Sequence, residues 1–258
     1  MSRGACMIAS NSSDMDYVGL AAINARLIRK HLGIPVCLIT TDLTNHDDFD
    51  HVIKVDHRPG QTRKIRHDGE IISYEWKNDH RISAIDHTPY ERTLLIDADY
   101  LVQTDALLPF ISCDSDFMIV DEVRDLTAKN SFRNDAYLPD RTLKQRWATV
   151  MVFNKDYRAP FDIAAMVRDN YDYYAAMFNW SRRPFRNDFA FTVAAHLLSI
   201  PRMPFVMNQI SFEAQVQADE RGLKIMSYDQ IFRWNHDVHV LNKEIAINPK
   251  MLEPLLDA

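Results

Sequence analysis

Two aspartates one residue apart, Asp97 and Asp99, follow directly on the apolar run Thr93-Leu94-Leu95-Ile96. A carboxylate pair at that spacing offers hard oxygen ligands to Mg²⁺ or Mn²⁺, and a cation so held can in turn bind a diphosphate. The spacing alone carries no weight. With 28 aspartates in 258 residues, chance gives about three such pairs. Four occur: Asp14/Asp16, Asp48/Asp50, Asp97/Asp99 and Asp114/Asp116. Placement separates the third, because the run before it has the length of a buried strand and a second short apolar stretch, Tyr100-Leu101-Val102, follows. Ligands of open α/β sheets bind beyond the carboxyl ends of the strands. The competing reading is a solvated acidic turn.

The elements that must position this pair alternate in type. Ala5–Ala9 reads as a strand and Ser10-Asn11-Ser12-Ser13-Asp14 as a polar loop. An amphipathic helix is expected from about Asp16 to His31, with Leu20, Ile23, Leu27 and Ile28 at helical spacing. Gly33 ends it, Pro35 opens a strand at Val36–Ile39 running into Thr40-Thr41-Asp42, and a further strand is expected at His51–Val55. His57–Glu70 is polar and rich in Arg, Lys and His, and reads as a loop or irregular insertion. A helix from about Trp76 to Asp86 leads to Pro89 and the strand of the Asp pair. Phe117–Val120 and Thr149–Phe153 read as buried strands flanking a mobile polar loop. Helices follow at Phe161–Phe178 and Asn187–Leu198. Pro201 and Pro204 bracket a turn before the apolar Phe205–Met207, and Ile225–Met226 and Val238–Leu241 complete the apolar runs. The pattern is that of an α/β fold with a largely parallel sheet covered on both faces.

Bulk properties narrow the classes. An apolar content of 47% suits one large domain. A net charge of −6 argues against a dedicated nucleic-acid module. The cysteines Cys6, Cys37 and Cys113 have no metal-type spacing, and their odd number suits a reducing compartment. No run approaches the roughly 18 apolar residues of a membrane span, so a soluble, cytoplasmic protein without membrane insertion is expected. Six glycines are present, and none forms GxGxxG or a Walker A loop.

The stretch Arg81-Ile82-Ser83-Ala84, then Thr88-Pro89-Tyr90-Glu91-Arg92 through Asp97-Ala98-Asp99-Tyr100-Leu101-Val102, resembles nucleotide-sugar glycosyltransferases of the GT-A fold, in particular the glycogenin-like and galactosyltransferase-like family. The resemblance is strongest there and weaker, though ordered, over most of the rest. It implies a Rossmann-like, mostly parallel sheet flanked by helices. It also implies a single domain over 1–258, with a donor-binding part to about residue 105 and an acceptor and catalytic part beyond it. By the same resemblance, Asp97 and Asp99, with Ala98 between them, hold Mn²⁺ or Mg²⁺ against the diphosphate of a nucleotide sugar, expected to be a UDP sugar. Asp237-Val238-His239-Val240-Leu241-Asn242-Lys243 resembles the segment that supplies a third metal ligand, His239, and a diphosphate-binding base, Lys243. The family's usual glycine and Lys-Pro-Trp ending are absent, and His236 competes for the ligand role.

The nucleotide pocket is expected from the first strand–helix–strand unit, with Asn11 and Asp14 on its first loop and Asp42 at the end of its second strand. Asp16-Tyr17 resembles the family's Asp-Asn-Tyr, whose ring stacks on uracil; Asp14 or Asp16 can equally cap the helix. Arg81 lies before the metal strand at nearly the family's spacing and is expected to serve the diphosphate or nucleoside, with Lys77 one turn earlier. Arg186-Asn187-Asp188-Phe189-Ala190-Phe191 resembles the family's Asp-Gln-Asp-type segment. That makes Asp188, with Asn187 beside it, the catalytic expectation, as a general base or as a group stabilising an oxocarbenium-like centre. The competing reading of Asp188 is a carboxylate favoured by the helix dipole. The family's Asn-Ala-Gly is replaced by Trp147-Ala148-Thr149.

Three basic clusters stand out: Arg63-Lys64-Arg66-His67, Arg141/Lys144/Arg146, and Arg182-Arg183-Pro184-Phe185-Arg186. The last is interleaved with Trp180 and Phe185, a mix that suits phosphate contact and base stacking. The compact chain and its Thr-Pro-Tyr lead into the metal strand also resemble phage-encoded transferases, some of which glycosylate hydroxymethylated bases in DNA. That resemblance implies DNA contact through Arg182, Arg183 and Arg186 in a host cytoplasm, with a base flipped from the duplex. A glycan is the other acceptor. The rivals are a sugar nucleotidyltransferase on the same fold, which usually carries a Gly-rich first loop, and a non-catalytic glycan- or nucleic-acid-binding protein with a vestigial metal site. Loops at about 57–75 and 124–147 are expected to close over the donor.

Overall fold

The structure is a computed structural model that describes residues 1–12, 15–43, 46–56, 62–67, 70–75, 79–125, 137–180, 185–210, 236–240, 252 and 256. The chain opens as a parallel unit: β1 (Arg3–Ile8), α1 (Tyr17–Leu32), β2 (Val36–Thr40) and β3 (His51–Lys54). Helix α1 starts where Asp16 Oδ1 accepts the Gly19 amide at 2.8 Å, satisfying one of the free donors of the first turn. It stops at Gly33, whose φ of 64° is the left-handed conformation that side chains resist.

The expected irregular insertion contains a hairpin instead, β4 (Thr62–His67) against β5 (Glu70–Glu75), with Ile65 opposite Ile72. Its charged residues obscure the alternation, although Asp68-Gly69 between the strands is a dipeptide typical of two-residue hairpin loops. The continuous helix expected to Asp86 is also replaced. A single 3-10 turn at Asp79–Arg81 and a short α2 (Ala84–His87) stand there, and residues 76–78 lie outside the described residues. The Ser83 hydroxyl donates to the His80 carbonyl at 3.1 Å, a local bond that competes with helix continuation.

There follow β6 (Arg92–Asp97), β7 (Tyr100–Leu101), α3 (Leu108–Ser112), β8 (Phe117–Asp125), β9 (Trp147–Asn154), α4 (Ala159–Asp169), α5 (Tyr171–Met177), α6 (Asn187–Leu197), β10 (Arg202–Ile210) and β11 (Val238–Val240). The one long helix expected over 161–178 is divided at Asn170, whose side-chain amide donates to Met166 O at 2.9 Å. Ile225–Met226, the polar stretch 126–136 and residues 57–61 lie outside the described residues. Within the expected closing loop at 124–147, residues 137 and 144 form an antiparallel bridge.

Nine strands form one sheet in the order β3-β2-β1-β6-β9-β8-β10-β11-β7, with β4 and β5 outside it. β9 and β7 run against the other seven. The fold is therefore the expected mostly parallel α/β sheet flanked by helices. Alternate residues feed opposite layers. Leu95, Ile119 and Met151 pack with Phe161, Phe189 and Phe191 of α4 and α6, while Leu94, Ile96 and Val150 pack with Val18, Ala21 and Ile28 of α1 and Ile111 of α3.

One feature of the order dictates the shape. Strands β6 and β7 stand five strand spacings apart, about 24 Å on a flat sheet. Only Ala98 and Asp99 join them, and the step from Asp97 to Tyr100 reaches at most about 11 Å. The sheet must curl until its far edge returns to the end of β6.

Candidate functional site

That return assembles the site. Asp97 ends β6 beside Ile8 of β1, and Asp99 lies in the two-residue link to β7. His239 of β11 stands opposite Tyr100 of β7, and Val240 N donates to Asp99 O at 2.8 Å. The His239 ring reaches the two aspartates, its Nε2 being 3.3 Å from Asp99 Oδ1 and 3.9 Å from Asp97 Oδ2. One candidate ligand atom from each of the three lies within 4.8 Å of the others. His236 is exposed and outside this group.

The electrostatics favour a cation. Burial pushes the Asp97 carboxyl above its ordinary range; Arg81 and His239 oppose the shift, while Asp99 and Asp188 add to it. Arg81 is buried, donates from Nη1 to Asp97 Oδ1 at 2.6 Å and from Nη2 to Thr149 O at 2.9 Å. One guanidinium offsets one of two largely buried carboxylates. The remaining charge and the two-oxygen, one-imidazole donor set fit Mn²⁺ or Mg²⁺, with the nitrogen suiting Mn²⁺ better.

The carboxyl ends of β1 and β2 lie at the same edge of the sheet as this group. Asp42 Oδ2 accepts from Asn11 N at 2.6 Å, and Thr41 donates from its amide and hydroxyl to Ser10 Oγ, each at 2.9 Å. Asn11 Oδ1 accepts from Val18 N at 2.9 Å. The ring of Tyr17 is partly buried between two apolar clusters. Asp16 is the helix cap. Asp14, Lys77 and Lys243 lie outside the described residues.

Asp188 opens α6, and both its oxygens are engaged: Oδ1 accepts from Ala148 N at 2.8 Å and Oδ2 pairs with Arg186 at 2.9 Å. Asn187 beside it is buried. Asp188 is the first of three contacts along one helix face. Thr192 Oγ1 accepts from Arg146 N at 2.8 Å, and His196 Nε2 lies 2.9 Å from Lys144 O. Four residues of helix rise about 6 Å and two residues of extended chain about 6.7 Å, so positions 188, 192 and 196 meet 148, 146 and 144 in step. This strap holds the entry to β9 against α6.

The base-stacking expectation at the third basic cluster is corrected. Trp180 is 1% exposed and stacks on Phe189 at 5.1 Å, while Phe185 packs edge-on against Tyr171. Both aromatics serve the core, because α5 and α6 need apolar cover where they meet. Arg186 is occupied by Asp188 and lies over the Trp147 ring. Arg182 and Arg183 lie outside the described residues. The second cluster is also rearranged: Lys144 and Arg146 gather with Arg202 at Asp121. Asn24, absent from the sequence reading, is a buried polar residue on the inner face of α1 that bonds the backbone of Tyr100 in β7 and of Val102 just after it. Its only sequence signal is a polar residue in an otherwise apolar stripe.

No family model matches the chain, and no curated protein matches it. Among solved structures, it is similar to the glycosyltransferase GlyE of Streptococcus pneumoniae TIGR4 at TM-score 0.45 and 10% identity, covering 79% of this chain and 45% of that one. It is also similar to the galactosyltransferase LgtC in complex with donor and acceptor sugar analogues, at TM-score 0.48 and 14% identity over 74% of this chain and 69% of that one. A third is mouse xyloside xylosyltransferase 1, at TM-score 0.45 and 11% identity over 80% and 85%. The chain spans less than half the length of the pneumococcal protein. Among the described residues, no helix is long and apolar enough to cross a membrane.

Proposed function

We propose that this chain is a metal-dependent glycosyltransferase of the GT-A type, moving a sugar from a UDP sugar to an acceptor hydroxyl. The observation that carries this reading is the Asp97–Asp99–His239 group at the carboxyl end of the central strand, beside the carboxyl ends of β1 and β2. These three residues would hold Mn²⁺ or Mg²⁺. A bound divalent ion supplies Lewis-acid neutralisation of charge on a departing nucleoside diphosphate.

The chain's own residues complete the arrangement. Arg81 fixes the Asp97 carboxylate and ties it to the start of β9. Asn11, Asp42 and Tyr17 border the nucleotide side, where Asp14 is also assigned, and Lys77 and Lys243 are assigned to the diphosphate. Asp188 and Asn187 belong to the reacting side. With both Asp188 oxygens engaged by Ala148 N and Arg186, the geometry favours a role in holding charge and position near the anomeric carbon over free proton abstraction.

The test is a nucleotide-sugar panel with Mn²⁺, scored by release of the nucleoside diphosphate. UDP release that needs the metal supports the reading. Pyrophosphate release from a nucleoside triphosphate and a sugar phosphate would replace it with nucleotidyl transfer, and no turnover with any donor would replace it with a binding role. Hydroxymethylated DNA and glycans as acceptor arms then separate the two acceptor classes.

A further inference from the structure

Away from the aspartate–histidine group, three cations converge on a single carboxylate oxygen. Asp121 Oδ2 lies 3.0 Å from Lys144 Nζ, 3.2 Å from Arg146 Nη1 and 3.4 Å from Arg202 Nε. The Asp121 side chain is 2% exposed, whereas that of Arg202 is 66% exposed. The only other acid in this group, among the described residues, is the exposed Glu122, 3.5 Å from Lys144 Nζ. Positive charge is therefore in excess.

The excess is partly buried. The Arg146 side chain is more than nine-tenths buried, its Nη2 donates to Ile200 O at 3.4 Å, its Nη1 meets Asp121 as an ion pair without hydrogen-bond geometry, and its Nε has no hydrogen-bond partner among the described residues. Burial, with Arg202 acting in the same direction, lowers the Arg146 pKa, and Asp121 only partly opposes this. A buried guanidinium with an unmet donor is costly unless an anion completes it, and the Lys144 and Arg202 cations beside it, held around Asp121, supply further charge-assisted donors to the oxygens of a phosphoryl group placed at their solvent side. Lys144 and Arg202 form the approachable rim and Arg146 the floor.

The location is informative. Lys144 and Ala148 are the two ends of the strap along α6, and Ala148 N is bonded to Asp188. Four extended residues separate the cationic group from the reacting side by about 13 Å. We propose that Lys144, Arg146 and Arg202 form an anion site for a phosphoryl group carried by the acceptor, with Asp121 as the buried template that holds the three cations together. The acceptor assignment rests on the glycosyltransferase reading; the anion site does not.

Calorimetric titration of the metal-free full chain with inorganic phosphate and with glycerol 3-phosphate, at low ionic strength and without donor, tests the site by itself. Arg202→Gln should weaken both about tenfold, the effect of one charge-assisted bond. Arg158→Gln, which removes an exposed cation elsewhere, should stay within about twofold. Absence of binding to the wild-type chain, or equal affinities of the two variants, overturns the anion site. The acceptor assignment is read from UDP release with glycerol against glycerol 3-phosphate, and with a hydroxymethylated nucleoside against its 5′-phosphate. The phosphorylated member should act at lower concentration, and Arg202→Gln should abolish that advantage without changing donor hydrolysis. Phosphate binding with no such advantage overturns the acceptor assignment and leaves a site for free phosphate. Phosphate binding with no UDP release from any donor overturns the glycosyltransferase reading alone.

Discussion

The side-chain amide of Asn24 donates to the carbonyl of Tyr100 at 2.6 Å, and its oxygen accepts from Val102 N at 3.1 Å. Strand β7 pairs with β11 on its other edge, so Asn24 acts as a one-residue substitute for a neighbouring strand. It fixes the segment that presents Asp99 and sets the register that presents His239.

Asn24→Ala strands two buried backbone groups and should cost about 3 kcal/mol in chemical denaturation. Asn24→Asp should not restore the loss, since a carboxylate cannot donate to Tyr100 O. The same variants should bind Mn²⁺ more weakly. An unchanged Mn²⁺ affinity would dissociate this clamp from the site.

Replacing Asp97 and Asp99 together by alanine should abolish UDP release, and chelation of the wild-type chain should do so reversibly, with activity returning on Mn²⁺ addition. His239→Ala should reduce Mn²⁺ affinity by at least about tenfold, read from the free-ion paramagnetic resonance signal. Turnover that survives the double change would refute the metal assignment.

Thr192→Val removes the acceptor for Arg146 N in the middle of the strap and should lower stability by about 1–2 kcal/mol, by thermal or urea unfolding. Asp188→Asn keeps an acceptor for Ala148 N but loses the Arg186 pair. It should leave the fold within about 1 kcal/mol of wild type and lower kcat at least a hundredfold. A wild-type kcat in Asp188→Asn would leave this residue with a structural role alone.

Asp237 offers a pH signature. Burial raises its pKa to about 6, against the hydrogen bonds from Gln103 N and from the Thr104 amide and hydroxyl, which lower it. The folded chain therefore holds this proton more tightly than the unfolded chain, whose value is near the ordinary 3.8. Stability from this group is fully present below about pH 4 and is lost as pH rises through about 6. Asp237→Asn should remove that dependence and be more stable than wild type at pH 7.5, by up to about 3 kcal/mol, with the difference vanishing near pH 4. A parallel pair of pH–stability curves would contradict the assignment.

Local signals were sufficient for the elements that carry the Asp pair. The run before Asp97, the Asp16 cap and the Gly33 stop each depend on neighbours in sequence, and each stands where its residues indicate. The His239 segment was legible only by resemblance, since nothing local tells a strand that it will close against Asp99. Where long-range packing decides, reading from the chain fell short. Trp180 near a basic run is indistinguishable from a stacking platform until α5 and α6 are seen to bury it. Lys144, Arg146 and Arg202 lie on segments that converge only in the folded sheet, and the β4–β5 hairpin was hidden by charge at positions where alternation is usually apolar.

The curled sheet has a consequence for how the molecule assembles. Asp99 and His239 meet only after a loop of about 140 residues has closed, a contact with a high entropic toll for the unfolded chain and of the kind that slows folding. An ion bridging those residues would be a fastener at the seam of the sheet. At a hundred times its dissociation constant it would add about 2.7 kcal/mol to the folded state, coupling donor-site occupancy to the persistence of the whole architecture.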